Sequence, residues 1–284
     1  MLKTAALTAA ALTAFAANSI LCRLALRSGA IDAASFTSIR MASGAVMLLL
    51  ILALTRGARG TRGARSSQSR WAAAALLFLY AAPFSFAYLE LSAGTGALIL
   101  FACVQATMLL GALRSGERFK WPEALGLAIA LVGLTYLVSP GLAAPSPLGS
   151  ALMAIAGVSW GIYSLRGRGS ADPLGDTASN FIRAVPLALL VSLVAFRGAH
   201  LSPRGIALAC ASGALASGLG YTVWFAALRG LTAIRASTVQ LTVPVLAAAG
   251  GVLLLQESVT MRLVVSAALV LGGVGLALAG RARK

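Results

Sequence analysis

The chain has 284 residues, of which 59% are hydrophobic and only 11% charged, and its mean hydropathy is +0.90. Too few charged side chains are present to clothe a soluble domain of this size, so a polytopic membrane protein is implied. A formal charge of +16 would suit nucleic acid only as a patch on a soluble domain; here the cations sit between apolar runs, and no nucleic-acid partner is expected.

Crossing a hydrocarbon core about 30 Å thick takes about 20 mostly apolar residues. Such runs fall at 4–26, 33–55, 71–89, 93–113, 122–139, 147–165, 175–196, 205–228, 232–254 and 262–280, which predicts an all-α bundle of ten transmembrane helices. The runs are continuously apolar, which fits a barrel's alternating strands poorly. In the first run, Lys3 and Ala14-Phe15-Ala16-Ala17 also resemble a cleavable signal peptide, but the run's match to 147–165 argues that it stays as a helix. Cys22, Cys103 and Cys210 each lie within an apolar run without paired spacing, so they read as packing residues, and neither disulfide, metal nor cofactor is expected.

Polar and aromatic residues within the runs are the candidate site. Asn18 is a carboxamide inside the first span, where polar groups usually face the bundle interior. Arg40 lies about two turns into the second, a position that favours snorkelling or a structural hydrogen bond over binding a substrate carboxylate. On the third, Tyr80, Phe84 and Tyr88 recur every four residues and share one helical face; Tyr88, at the end, reads as part of the interfacial aromatic belt. Gln105 is the carboxamide of the fourth span, and Glu117 opens the fifth as a helix cap. Gly126 and Ala130 offer close helix packing there, as Ala268 and Gly272 do in the tenth.

Trp160 and Tyr163 form a short aromatic pair on the sixth span, and Arg183 repeats the position of Arg40 in the seventh. Ser217, Tyr221 and Trp224 share a face of the eighth. Gln240 is the carboxamide of the ninth, where Pro244 removes a backbone donor and predicts a kink, and Glu257 reads as a cap for the tenth. Aromatic faces could stack on a flat apolar substrate while amides and hydroxyls hold its polar end. The amides could equally be interhelical glue, worth about 0.6 kcal/mol on average.

The chain also reads as a duplication. At one fixed offset Leu91 falls on Leu231, Ala93 on Ala233, Glu117 on Glu257 and Gly133 on Gly273, and the same offset carries Ala14, Ala16 and Ser19 onto Ala154, Ala156 and Ser159. Slightly different offsets carry Ile39-Arg40 onto Ile182-Arg183 and Phe86 onto Phe225. The predicted units are 1–140 and 141–284, five spans each. An odd number per unit inserts the second half upside down, the inverted repeat typical of secondary transporters. Cations are concentrated on the N-terminal side of the membrane: Lys3, the stretches 56–70 and 114–120, Arg166, Arg168, Arg229, Arg235 and 281–284. The opposite ends hold Arg23, Arg27, Arg197, Arg204 and Arg262, so both termini are expected in the cytoplasm.

Ten spans in a five-plus-five repeat, an Arg early in the second helix of each half, Gly116-Glu117 and Gln256-Glu257 before the last, and the run from Ser237 to Val245 together resemble the EamA-type drug/metabolite transporter superfamily. The first half departs from the pattern at Val104, where the repeat would place a second proline. Within the superfamily the chain looks most like the bacterial aromatic amino-acid exporters. That resemblance implies a cavity walled by the first, third, fourth, sixth, eighth and ninth helices and open alternately to each side. The expected function is therefore export of aromatic and other hydrophobic amino acids, or similar amphipathic metabolites, by a monomer in the bacterial inner membrane, with membrane lipid around it. Another metabolite or a cationic drug is the alternative substrate. All the acids (Asp32, Glu90, Glu117, Glu123, Asp172, Asp176 and Glu257) fall in loops or at helix ends, so no mid-membrane carboxylate couples transport to protons and a facilitative carrier is expected. An intramembrane enzyme would need a nucleophile and base or a metal cluster at depth, and the sequence offers neither.

Overall fold

The computed structural model describes residues 2–56, 67–114, 121–141, 144–167, 170–231 and 239–282. The capping role read for Glu117, the cation-rich stretch 57–66, Arg118, Lys120, Arg168, Arg235 and the opening of the ninth run at 232–238 lie outside the described residues.

Apart from one isolated bridge between Ile31 and Leu201, regular structure among the described residues is helical. In chain order the helices are α1 (Leu2–Arg27), α2 (Ala33–Arg56), α3 (Ser67–Ala87), α4 (Ala93–Arg114), α5 (Trp121–Val138), α6 (Pro147–Gly167), α7 (Pro173–Val194), α8 (Pro203–Leu228), α9 (Thr242–Leu255) and α10 (Met261–Ala282). In α1, α2, α6, α7 and α8 the described segments are long and apolar enough to cross a membrane; the apolar stretches of the other five are shorter, at 10–17 residues. Exposed leucines and valines such as Leu49, Leu50 and Leu54 on α2, and Leu189, Leu190 and Leu193 on α7, give the bundle an outer surface suited to lipid.

Three helices start on the same local device. Ser146, Asp172 and Ser202 each precede a proline at the first helical position and accept the backbone N–H three residues on, at 3.2, 2.9 and 3.1 Å. Proline lacks the N–H that a helix start leaves unpaired, and the side-chain oxygen satisfies one of those that remain.

Helix α5 lies along α10, α6 packs on α3 and α4, α1 on α8 and α9, α2 on α7 and α8, and α4 on α9. Gly126 and Ala130 do form a packing face, against Gly273 and Ala277 of α10. Ala268 and Gly272 do not: both are exposed, and the face α10 turns to α5 is one residue further on. Helix α8 is interrupted by a π-helical stretch, Ala211–Leu219, between two α-helical ones. At Gly213 that stretch presses so closely on α2 that a Cβ would lie 2.2 Å from the Arg40 carbonyl oxygen. Helix α9 follows an irregular turn at Leu241, so Pro244 falls in its first turn, where its missing N–H breaks no internal bond.

Asp32 ties the start of α2 to the start of α8. Its carboxylate accepts from Ser35 N–H at 2.9 Å and His200 N–H at 3.0 Å, while its own N–H donates to the His200 carbonyl at 3.1 Å. Burial alone would raise its pKa, but the donors at Ser35 and His200 outweigh burial and hold the carboxyl below its ordinary range. A folded value below the unfolded one, about 3.9, means that the stabilisation is complete above about pH 5 and lost as pH falls through the folded value. Asp32→Ala should cost about 1 kcal/mol at neutral pH as a lost cap. Unfolding midpoints compared between pH 7 and pH 3 should show the gap between variant and wild type narrowing in acid.

Candidate functional site

Five helices converge on one narrow cavity. Phe15, Asn18 and Ser19 reach it from α1, Tyr80 and Phe84 from α3, Leu100 and Phe101 from α4, Trp160 from α6, and Ala216 and Tyr221 from α8. Its volume is about 20 Å³, roughly the room one water needs. The aromatic rings themselves fill the centre: Trp160 lies 4.9 Å from Tyr80, 5.1 Å from Tyr221 and 5.5 Å from Tyr163, the last pair stacked. Phe15 meets Tyr221 edge-on at 5.9 Å. Such contacts add about 0.5–1.5 kcal/mol each beyond buried area. A ring entering from a substrate would exchange one set of aromatic contacts for another.

A polar chain runs along one wall. Asn18 donates through Nδ2 to the Tyr80 hydroxyl at 3.3 Å and accepts from Ser212 at Oδ1, with all three residues buried. Arg40 Nη2 donates to the same Tyr80 oxygen at 3.0 Å, and its Nε lies 3.4 Å from Ser217 Oγ. Arg40 does not snorkel, since α3 and α8 close over it and its exposure is 0%. Its counterpart Arg183 is half-buried and folds back on its own helix, donating to Ser179 at both the carbonyl and the hydroxyl. The π-helical stretch supplies Ser212, Ala216 and Ser217 to this wall, and such stretches recur at functional sites.

Of the sequence-predicted site residues, Asn18, Tyr80, Phe84, Trp160 and Tyr221 meet at the cavity. Tyr163 backs Trp160 and accepts from Asn180 at 3.1 Å. Ser217 supports Arg40, and Trp224 is buried beside Phe15 at 5.7 Å, both behind the lining. Gln105, buried on α4, and Gln240, half-buried before α9, lie outside the lining. Tyr88 does not belong to an interfacial belt: its exposure is 0%, its ring packs edge-on against Phe84 at 4.8 Å, and its hydroxyl donates to the Ala93 carbonyl at 3.4 Å. Missed in the sequence were Phe15, Ser19, Leu100, Phe101 and Ala216. Phe15 and Ser19 were within reach, being one helical face with Asn18; Leu100, Phe101 and Ala216 carry no local signal in an Ala/Leu-rich chain.

Outside the cavity lining, Glu257 joins several elements. Gln256 takes a left-handed conformation, φ 52°, at the end of α9, turning the chain so that Glu257 N–H reaches the Gly251 carbonyl at 3.1 Å. The carboxylate then accepts from Arg23 of α1 at 3.2 Å and from the Ala93 N–H that opens α4 at 2.8 Å. Glu257 is therefore a cap, but of α4 rather than of α10, whose first turn is served by Thr260. Arg23 also donates to the carbonyls of Tyr88 and Leu89 at 2.8 and 3.0 Å, and Arg27 to that of Leu255.

A helical bundle with a lipid-suited outer surface thus encloses a small aromatic and polar cavity. Residues 147–279, in the second half of the chain, match the model of the EamA-like transporter family. Uncharacterized protein PA1977 of Pseudomonas aeruginosa is 52% identical over 280 residues, 98% of this chain and 96% of its own length. An Archaeoglobus fulgidus protein described as Uncharacterized transporter is 26% identical over 189 residues, 65% of this chain and 67% of its own. A solved structure described as Crystal structure of protein superposes with a TM-score of 0.66 over 97% of this chain and 98% of that one; at 21% identity it shows a shared fold alone.

Proposed function

We propose that this transporter is a facilitative, alternating-access exporter of aromatic and other hydrophobic amino acids, a monomer in a bacterial inner membrane with both termini in the cytoplasm. The observation that carries the reading is the cavity's composition: aromatic rings from α1, α3, α4, α6 and α8 surround Asn18, Ser19 and the Tyr80 hydroxyl, and no carboxylate is among the lining residues. Flat apolar faces with a few fixed polar groups suit a small amphipathic molecule whose ring stacks and whose polar end is hydrogen-bonded. With the cavity this narrow, the state described is closed around its centre, and substrate entry requires the Trp160 cluster to part.

The packing pattern supports ten spans in two inverted halves, 1–140 and 141–284. Exchanging the halves carries the contact of α1 with α8 onto that of α6 with α3, and the contact of α1 with α9 onto that of α6 with α4. The pairs α2 with α7, α4 with α9 and α5 with α10 map onto themselves. Rocking one half against the other would open the cavity to each side in turn.

Counterflow in proteoliposomes tests the reading: vesicles preloaded with unlabelled phenylalanine should accumulate labelled phenylalanine saturably, with or without a pH gradient. Trp160→Ala and Tyr221→Ala should weaken apparent affinity about tenfold or more, the worth of one or two aromatic contacts. Equal uptake of alanine and phenylalanine by wild type would remove the aromatic preference, and strict dependence on a proton gradient would remove the facilitative mechanism.

A further inference from the structure

Arg40 is a fully buried cation whose Nη1 has no hydrogen-bond partner. The ion pair found among the described residues joins Arg23 to Glu257, and none is formed by Arg40. What surrounds the guanidinium is the Tyr80 hydroxyl, Ser217 Oγ and the faces of two rings, with its carbon 5.2 Å from the Tyr80 centroid and 4.9 Å from that of Phe84. Ring faces and hydroxyls offset part of the desolvation of a guanidinium. They do not neutralise its charge, and arginine keeps that charge when buried. A buried cation is ordinarily paired, because leaving it unpaired in a low-dielectric interior is expensive.

Neighbouring hydrogen bonds have a consistent polarity. The Tyr80 oxygen accepts from both Arg40 and Asn18, so neither of those contacts supplies the guanidinium with an anion. Asn18 has its oxygen engaged by Ser212 and one amide hydrogen on Tyr80, leaving a second hydrogen. Tyr80 and Phe84 both support the guanidinium and line the cavity. This wall therefore offers an amide donor and positive potential, with the Tyr80 and Asn18 oxygens already accepting.

We propose that the substrate supplies the missing counter-charge: Arg40 makes the cavity selective for a carboxylate carried on a flat apolar body and against molecules whose only charge is an ammonium. The proposal rests on reading the cavity as the transport path and sharpens it, since a zwitterionic amino acid would be held by its carboxylate end. It also sets the cationic-drug alternative aside.

The test compares three molecules with the same ring as competitors of labelled phenylalanine counterflow at neutral pH: unlabelled phenylalanine, 3-phenylpropionate, which lacks the ammonium, and phenethylamine, which lacks the carboxylate. 3-Phenylpropionate is expected to compete at least about tenfold better than phenethylamine, since the Arg40 charge lies directly behind the lining rings of Tyr80 and Phe84 in a partly dry site. Arg40→Gln should lose that discrimination and Arg40→Lys should keep part of it. Phenethylamine competing as well as 3-phenylpropionate in wild type overturns the proposal without any variant, and so does an Arg40→Gln protein that elutes as a folded monomer and discriminates as wild type does. If phenylalanine shows no counterflow, the amino-acid reading fails separately. The anchor is then read from thermal stabilisation of the detergent-purified protein by 3-phenylpropionate and by phenethylamine: stabilisation by the carboxylate alone, lost in Arg40→Gln, upholds it, and stabilisation by neither or by both equally overturns it.

Discussion

Glu257→Ala is expected to destabilise the folded protein by about 3 kcal/mol, the lower end of the cost of breaking a mostly buried ion pair by removing one partner. The side chains of Arg23 and Glu257 are 14% and 9% exposed, so solvent screens them little. Removing the carboxylate strands the Arg23 guanidinium and leaves the Ala93 N–H at the head of α4 without its acceptor. Arg23 keeps its carbonyl contacts to Tyr88 and Leu89, which limits the loss. Glu257→Gln should fall between wild type and alanine, because an amide oxygen can still accept from Ala93 while the charge is gone. The midpoint of unfolding in detergent reads this order. A glutamine variant as damaging as alanine would assign the whole effect to the ion pair, and an undiminished midpoint in both would remove Glu257 from the account of how α1, α4 and α9 are joined.

The second large effect concerns the crossing of α5 and α10. A Cβ built on Gly126 would lie 2.4 Å from the Gly273 carbonyl oxygen, and one on Gly273 would lie 2.5 Å from the Gly126 carbonyl oxygen. The atoms in the way are backbone, which cannot swing aside as a flexible side chain can. Gly126→Val and Gly273→Val should each cost about 3 kcal/mol, the upper part of the overpacking range, by forcing the two helices apart. Gly272→Val is the control, since nothing lies within 4 Å of the Cβ it would add. Similar midpoints for the variants at 272 and 273 would mean that the helices slide rather than separate, and would overturn the close crossing.

Helix positions were legible because apolar runs are bounded by charged residues, glycine and proline: the run expected at 122–139 is α5 at Trp121–Val138, and that at 93–113 is α4 at Ala93–Arg114. Starts were read two residues late at α7 and α8, where hydropathy begins after the capping Asp172 and Ser202 and their prolines. The aromatic stripe of α3 was legible from its four-residue spacing, and its rings do meet in sequence, Tyr80 tilted against Phe84 at 5.5 Å and Phe84 edge-on to Tyr88 at 4.8 Å. What single-helix reasoning could not supply is which other helix covers a residue. Arg40 and Tyr88 both sit where a lone helix would meet the headgroups, and both are buried because neighbours distant in sequence close over them. The same limit hid the target of Glu257, which is near α10 in sequence but reaches α4 in space. Nor does composition announce the π-helical stretch of α8, within which Gly213 lies close against α2.

Pairing between distant parts of the chain also governs how the protein is made. Helix α1 leaves the ribosome well before α8 and α9, on which it packs, and α5 must wait for the 22 residues of α10. Early helices are therefore delivered into the bilayer before their neighbours exist, and their own apolar side chains hold them there until assembly, insertion first and association second. A nascent chain that stalls before α10 leaves the glycine face of α5 against lipid and the bundle unclosed. Deleting α10 should thus be far more damaging than the size of the missing piece suggests, with the shortened product inserted but degraded.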